Sequence, residues 1–242
     1  MTVPRRRLAC TAALIVLMLL LVAGLASRRH ALACDLLPLG GHRQLQPGVF
    51  AGADVDEARA RQFQALIAAA SARIEGLYGA PASRPRLVLA GSIQEARRLG
   101  ANDTASMHRS PWGSCIVIGP QGRNVDVIAH EWLHAEIQHR VGFWRTLREI
   151  PVWFDEGAAL TVDHRAPFLP SAIRRSGAEI QAVRQLAGGR AFFAGDTHAH
   201  YQAARMAVVP LVRPDRFYAD LDRIASGERF DEVFGDGRPA PH

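Results

Sequence analysis

Between Leu8 and Ala26 the chain runs for 19 residues without a charge. As a helix such a run is roughly 28 Å long, close to the hydrocarbon thickness of a bilayer. It therefore sets a membrane-length segment apart from whatever folds after it. Arg5, Arg6 and Arg7 precede the run, which by the positive-inside rule keeps the N-terminus in the cytoplasm. Arg28 and Arg29 on the far side weaken that bias. The run is longer than the core of about 7–15 residues in a cleaved signal peptide, so the expectation is one uncleaved transmembrane signal anchor in the cell membrane. Secretion after signal-peptide cleavage is the alternative. Ala31-Leu32-Ala33-Cys34 only faintly resembles a lipoprotein cleavage box, and two arginines lie between it and the apolar run. The expected division is 1–34 for the cytoplasmic N-terminus, anchor and flank, 35–234 for one exported domain, and 235–242 for a loose tail.

Charge is divided in the same way. All 29 basic residues among the 242 are arginine, against 23 acids, for a net +6. Five of those arginines lie before residue 30 and every acid lies after residue 34, which leaves 24 arginines against 23 acids from Asp35 onward. A near-neutral body lacks the electrostatic footprint of a nucleic-acid binder. The body is long enough for one good-sized core, and with 48% hydrophobic residues the chain is globular rather than disordered. Cys10 lies in the apolar run. Cys34 and Cys115 lie in the body, where they either pair or stay separate thiols, and no cysteine has C-x-x-C metal spacing.

Along the body, Asp35–Gln46 reads as an irregular linker and Gly48–Ala51 as a short strand. Phe63, Ile67, Ala70, Ile74 and Leu77 recur at helical spacing, predicting a helix over 54–78 capped by Asp54. A strand is expected at 86–90, a short helix at 93–99, a polar loop at 100–112 and a second strand at 115–118. Asn124 can cap a helix running to about Arg140, and further helices fit 152–163, 178–186, 200–212 and 214–225. A few early strands followed mostly by helices argue for an α+β domain.

The chemistry-bearing residues are His130-Glu131-Trp132-Leu133-His134, an H-E-x-x-H pattern. On a helix the two histidines project from one face and can grip one metal ion, while Glu131, one residue along, sits beside the metal as a general base. Val125, Ile128, Ala129, Leu133 and Ile137 give that helix an apolar face. A catalytic metal usually needs a third protein ligand. His139 is five residues after His134 and points away from the shared face. Ile137 and Arg140 replace the glycine and histidine of the extended reprolysin-type motif, which excludes that class. A carboxylate from Trp153-Phe154-Asp155-Glu156-Gly157 is the other source.

HEWLH followed by WFDEG resembles the gluzincin metallopeptidases, the aminopeptidase N-like branch among them, and the neighbouring Asp126-Val127-Ile128-Ala129 and Ala158-Ala159 resemble small exported peptidase-MA-like proteins. The resemblance spans about Arg86 to Val212. It implies a zincin-like domain, one zinc ion per chain on His130, His134 and Glu156, Glu131 as catalytic base, and a peptide or protein substrate. There are departures. Twenty-one residues separate His134 from Glu156, a longer spacer than the aminopeptidases carry. The strand expected to match their amine-binding G-x-M-E-N segment, Gly113–Gly119, has no carboxylate, so aminopeptidase specificity is not implied. Such a strand can still take an extended substrate through its backbone. Leu160 stands where thermolysin-like enzymes place a carboxylate that orients a zinc histidine, which leaves Asp126 and Asp163 as candidate substitutes.

Tyr201, read as opening a helix, is the candidate electrophile for an oxyanion, with His198 and His200 on a solvated loop as runners-up. Trp112, Trp132, Trp144 and Trp153 read as core. Two other functions compete with a membrane-anchored zinc peptidase. One is a zinc hydrolase acting on a non-peptide substrate, and the other is a non-catalytic binding domain on a peptidase scaffold.

Overall fold

A computed structural model describes Met18, residues 33–37 and residues 40–235. The expected anchor at 8–26 and the tail after 235 lie outside the described residues, apart from Met18. Among the described residues no helix is long and apolar enough to cross a membrane.

The architecture is α+β, a small five-stranded sheet followed mostly by helices. The strands are β1 (Arg43–Gln46), β2 (Val49–Ala51), β3 (Arg86–Leu89), β4 (Ala105–Ser110) and β5 (Gly113–Ile118). Their order across the sheet is β1-β2-β3-β5-β4. β2, β3 and β5 are parallel, while β1 and β4 run antiparallel at the two edges. Beyond their first residues, Arg86 in β3 and Gly113-Ser114 in β5, the inner strands are apolar because both faces of the sheet are covered. Val49, Ala51, Leu87, Leu89, Ile116 and Ile118 face helices α1 (Glu57–Tyr78) and α3 (Val125–Val141). Phe50, Val88, Cys115 and Val117 face α2 (Ile93–Arg98) and the segment holding Cys34 and Leu37. On that second side Cys34 and Cys115 form a disulfide, which decides between the two readings of these cysteines.

The remaining helices are α4 (Phe143–Glu149), α5 (Val152–Ala159), α6 (Gly177–Val183), α7 (Gly189–Phe192), α8 (Thr197–Val208), α9 (Phe217–Ser226) and α10 (Phe230–Phe234). α3 lies between the sheet and the helical half, packing on α1, α5 and α9, and α8 packs on α5.

Several expectations need correction. Asp56, not Asp54, caps α1, its carboxylate accepting from the Arg59 N–H. β1 occupies the end of the expected linker. The expected polar loop at 100–112 contains β4, a strand whose mixed polarity is tolerated because it is an edge. α5 stops at Ala159, short of Asp163. Trp132 and Trp153 are core as expected, but Trp112 and Trp144 are exposed.

Candidate metal centre

α3 starts where the Asn124 side chain accepts from the Val127 N–H at 2.9 Å, and it ends at Gly142, whose φ of 85° suits glycine alone. In the middle of this helix His130 and His134 present their rings to one another edge-on, with the two Nε2 atoms 3.2 Å apart. α5 brings the third group. Any Cβ at position 157 would lie 2.4 Å from the Ala204 carbonyl oxygen, so Gly157 lets α5 pack directly on the backbone of α8. That close approach seats Glu156, with its Oε2 3.4 Å from His130 Nε2 and 3.3 Å from His134 Nε2. All three residues are buried, none more than 9% exposed.

Three atoms with edges of 3.2, 3.3 and 3.4 Å therefore converge on one point. A tetrahedral ion with bonds of about 2.0–2.1 Å spaces its ligands by about 3.3 Å. With both imidazoles neutral and protonated on Nδ1, all three atoms offer lone pairs. Such a triangle is repulsive unless a cation sits at its centre, and Glu156 Oε2 is buried with no hydrogen-bond donor. The three residues can hold a metal ion.

The far sides of the rings face acids. His134 Nδ1 is 3.1 Å from Asp155 Oδ2, and Arg109 Nη2 donates to that same oxygen at 2.6 Å. His130 Nδ1 is 3.8 Å from Asp163 Oδ2. Asp163 is itself clamped by Arg165, whose Nε reaches both carboxylate oxygens at 2.9 and 3.0 Å. Of the two candidate orienting acids, Asp163 lies beside a histidine but at 3.8 Å, beyond hydrogen-bond distance. Asp126 instead pairs with Arg73 and accepts from the His164 N–H at 2.8 Å.

Charge follows from this packing. Desolvation pulls the His134 imidazolium down, but the Asp155 and Glu156 carboxylates outweigh it and hold its pKa well above 6.5. Desolvation also opposes the Glu156 charge, yet His134 and His130 bring its carboxyl down to about 2. Asp155 is lowered further, burial being overcome by Arg109 and His134. Glu131 shifts the other way, because burial raises its carboxyl above 4.5, with Glu156 adding to the rise and the two histidines opposing it. Burial, together with the nearby Glu156 and Glu131 charges, raises the Tyr201 phenol.

These groups open on a cleft of about 490 Å³ lined by His130, Glu131, His134, Glu156 and Tyr201, with β4 along one side. Tyr201 sits inside α8 rather than opening it, its ring centroid 6.4 Å from that of His130. His198 and His200 are also on α8, not on a solvated loop, and neither lines the cleft. His200 Nδ1 bonds the Phe192 carbonyl, and His198 lies beside Phe168. His139 is exposed on α3, away from the triangle.

One strand assignment reverses. Gly113–Ile118 is β5, enclosed by β3 and β4, so its backbone is already paired. β4 is the edge strand, and its Ala105, Met107 and Arg109 border the cleft. Sequence reasoning missed both Arg109 and the orienting role of Asp155; only the acidic pair Asp155-Glu156 hinted at the latter. No protein-family model matches this chain, and no curated protein or solved structure matches it either.

Proposed function

We propose that this chain is a zinc-dependent peptidase with a zincin-like domain, held at the outer face of a membrane by its N-terminal apolar segment. The observation that carries the proposal is the buried triangle of His130 Nε2, His134 Nε2 and Glu156 Oε2, opening on a cleft that also holds Glu131. Two imidazoles and one carboxylate at tetrahedral spacing are a ligand set suited to zinc that leaves a fourth position for water or substrate. The Cys34–Cys115 disulfide suits an oxidising compartment outside the cytoplasm.

Zinc bound there would supply a Lewis acid and a water acidified to a pKa of about 7. The chain's own residues do the rest. Asp155, 3.1 Å from His134 Nδ1, favours the proton on that nitrogen, so that the Nε2 lone pair faces the ligand position, while Asp163 adds negative charge near His130 Nδ1. Glu131, with its raised carboxyl pKa, takes a proton from the attacking water and returns it to the leaving amine. Tyr201 stays protonated and donates a hydrogen bond to the developing oxyanion. β4, whose outer edge pairs with no other strand among the described residues, can receive an extended peptide alongside the cleft.

The test is metal content per chain in the intact protein, His134→Ala and Glu156→Ala, followed by hydrolysis of denatured proteins, peptides and esters. About one zinc in the intact protein, its loss from both variants, and cleavage of peptides are expected. Folded protein that takes up no zinc overturns the reading, and ester cleavage without peptide cleavage moves it to another hydrolase class.

A further inference from the structure

A second polar recess lies away from the cleft, at the end of the sheet where β3 and β5 begin. β3 pairs with β5 in the register Arg86 to Cys115, so Arg84 and Gly113, two residues earlier on neighbouring parallel strands, lie at the same end. The turn from β4 to β5 adds Trp112, and the disulfide adds Cys34 with its neighbours Asp35 and Leu36. Together they form a cup of about 140 Å³ lined by Arg84, Arg86, Asp35, His108 and Trp112.

Two features of this end are unusual for a surface bound only by water. Trp112, on the cup, is 67% exposed, and Leu36, next in the chain to the cup residue Asp35, is 56% exposed. Trp112 is nonetheless held in place, since its Nε1–H donates to Asp35 Oδ2 at 2.6 Å, and Asp35 also pairs with Arg86. The indole's one polar atom is thus satisfied internally while much of the residue stays exposed. Two arginines and one aspartate leave the cup with a positive balance.

Chain length says what lies opposite. The apolar run ends at Ala26 and the disulfide fixes Cys34, which leaves seven residues between them. Eight Cα steps reach at most about 28 Å even when fully extended. If the run spans a bilayer, this end of the sheet stays within about 28 Å of the bilayer surface and is the part of the domain tethered nearest to it. An aromatic ring, an aliphatic side chain and guanidinium groups match the interfacial zone, where indoles sit at headgroup depth and arginines bind phosphate.

We propose that the Trp112–Leu36–Arg84 end of the sheet docks on the membrane, with Trp112 and Leu36 entering the interface and Arg84 meeting lipid phosphates. The proposal rests on the anchor reading. It also assigns an orientation. His108 and Ser110 of β4 line the cup while Met107 and Arg109 line the cleft, on the opposite face of the same strand. Docking therefore leaves the cleft open to soluble chains rather than to membrane-embedded ones.

The experiment uses the full chain in vesicles of phosphatidylcholine and phosphatidylglycerol whose acyl chains are brominated near the headgroup. Tryptophan quenching is read beside resistance to alkaline extraction. Strong quenching that is mostly lost in Trp112→Phe, and that Arg84→Glu weakens on anionic but not on neutral vesicles, is the expected result. Metal content and the disulfide should be unchanged in both variants. An extraction-resistant chain whose quenching is absent, or survives in Trp112→Phe, overturns the docking face and leaves the anchor standing. Quenching through Trp112 in a chain that alkali strips away keeps the docking face and removes the anchor. A stripped chain without quenching removes both.

Discussion

Helix α3 carries two buried polar sites within six residues, and they are buried in opposite ways. Glu136 is fully enclosed, and both of its oxygens are served: Oε1 by the Ala82 N–H at 3.1 Å and Arg140 Nε at 2.7 Å, Oε2 by the Ser83 N–H at 2.8 Å. Ser83 in turn accepts from Trp132 Nε1. This site is complete and ties the chain entering β3 to the helix. Two and six residues earlier, His134 and His130 face Glu156 Oε2, and with both rings neutral, as a bound metal requires, the lone pairs oppose and that oxygen has no donor. Burial with every group satisfied is what a structural site needs, whereas burial with convergent unsatisfied acceptors costs stability unless something is to be bound. The contrast separates the residues that hold this domain together from those that equip it.

The largest expected effect lies on the binding side. Glu131→Gln keeps the size and burial of the side chain but removes the base, so peptide hydrolysis should fall by about 10²–10⁴-fold while zinc content and melting temperature stay the same. Parallel assays of activity and metal content check this. A variant that keeps its activity would place the base elsewhere.

Truncating Glu136 should do the reverse. Glu136→Ala leaves two backbone N–H groups and Arg140 without their shared acceptor, at a cost of about 3 kcal/mol. Arg140 keeps its stacking on Tyr218, which limits the loss. Glu156→Ala, measured by denaturant unfolding without metal at alkaline pH, where His134 has lost its proton, should cost clearly less, because Oε2 then has no donor. Equal costs would erase the distinction between the two sites and make Glu156 a core residue.

How much of this contrast could be read from the chain alone depends on the range of the contacts. α3 was legible because its determinants are local: the Asn124 cap, an apolar face, and histidines four residues apart. Glu156 was legible through the WFDEG segment, although the close approach at Gly157 that seats it was not. β4 was not legible. Ala105-Ser106-Met107-His108-Arg109-Ser110 carries a loop's polarity, and it becomes a strand only because β5 supplies the ladder and α3 covers its inner face. Arg109 was lost with β4, since its partner Asp155 lies 46 residues away. Trp112 and Trp144 were misread because size and apolarity suggest a core residue but do not place one in it. Short helices α4, α7 and α10 were missed because they are too brief to show a period, and α4 and α7 also lack a side-chain cap.

Asp155→Asn probes the boundary between the two kinds of site, since Asp155 is satisfied on one side by Arg109 and faces His134 on the other. Losing the charge that orients His134 should weaken zinc affinity by about 10–100-fold without displacing a ligand. Competition with a chelator measures it. An unchanged affinity would mean that Asp155 serves only to hold β4 against α5.

The smallest effect is a difference in sign with pH. Burial alone would raise Glu136, but the Ser83, Ala82 and Arg140 interactions outweigh it and leave its pKa below 4.5. A carboxyl depressed by folding contributes stability above its unfolded value and loses it as the pH falls through the folded value, so this site weakens in acid. His134 without metal behaves oppositely. Its pKa is raised on folding, so its contribution is complete below about 6.5 and disappears as the pH rises through the folded value. Zinc must displace that proton, so affinity should climb by up to about tenfold per pH unit while His134 remains protonated in the free chain. Denaturant unfolding with and without zinc between pH 3 and 8 measures both at once. The gap between the two stability curves should widen as the pH rises, whereas Glu136→Gln should shift both curves together and leave the gap unchanged. A gap that stays flat in the intact protein would mean that no proton leaves His134 when the metal arrives, and the triangle would lose one of its corners.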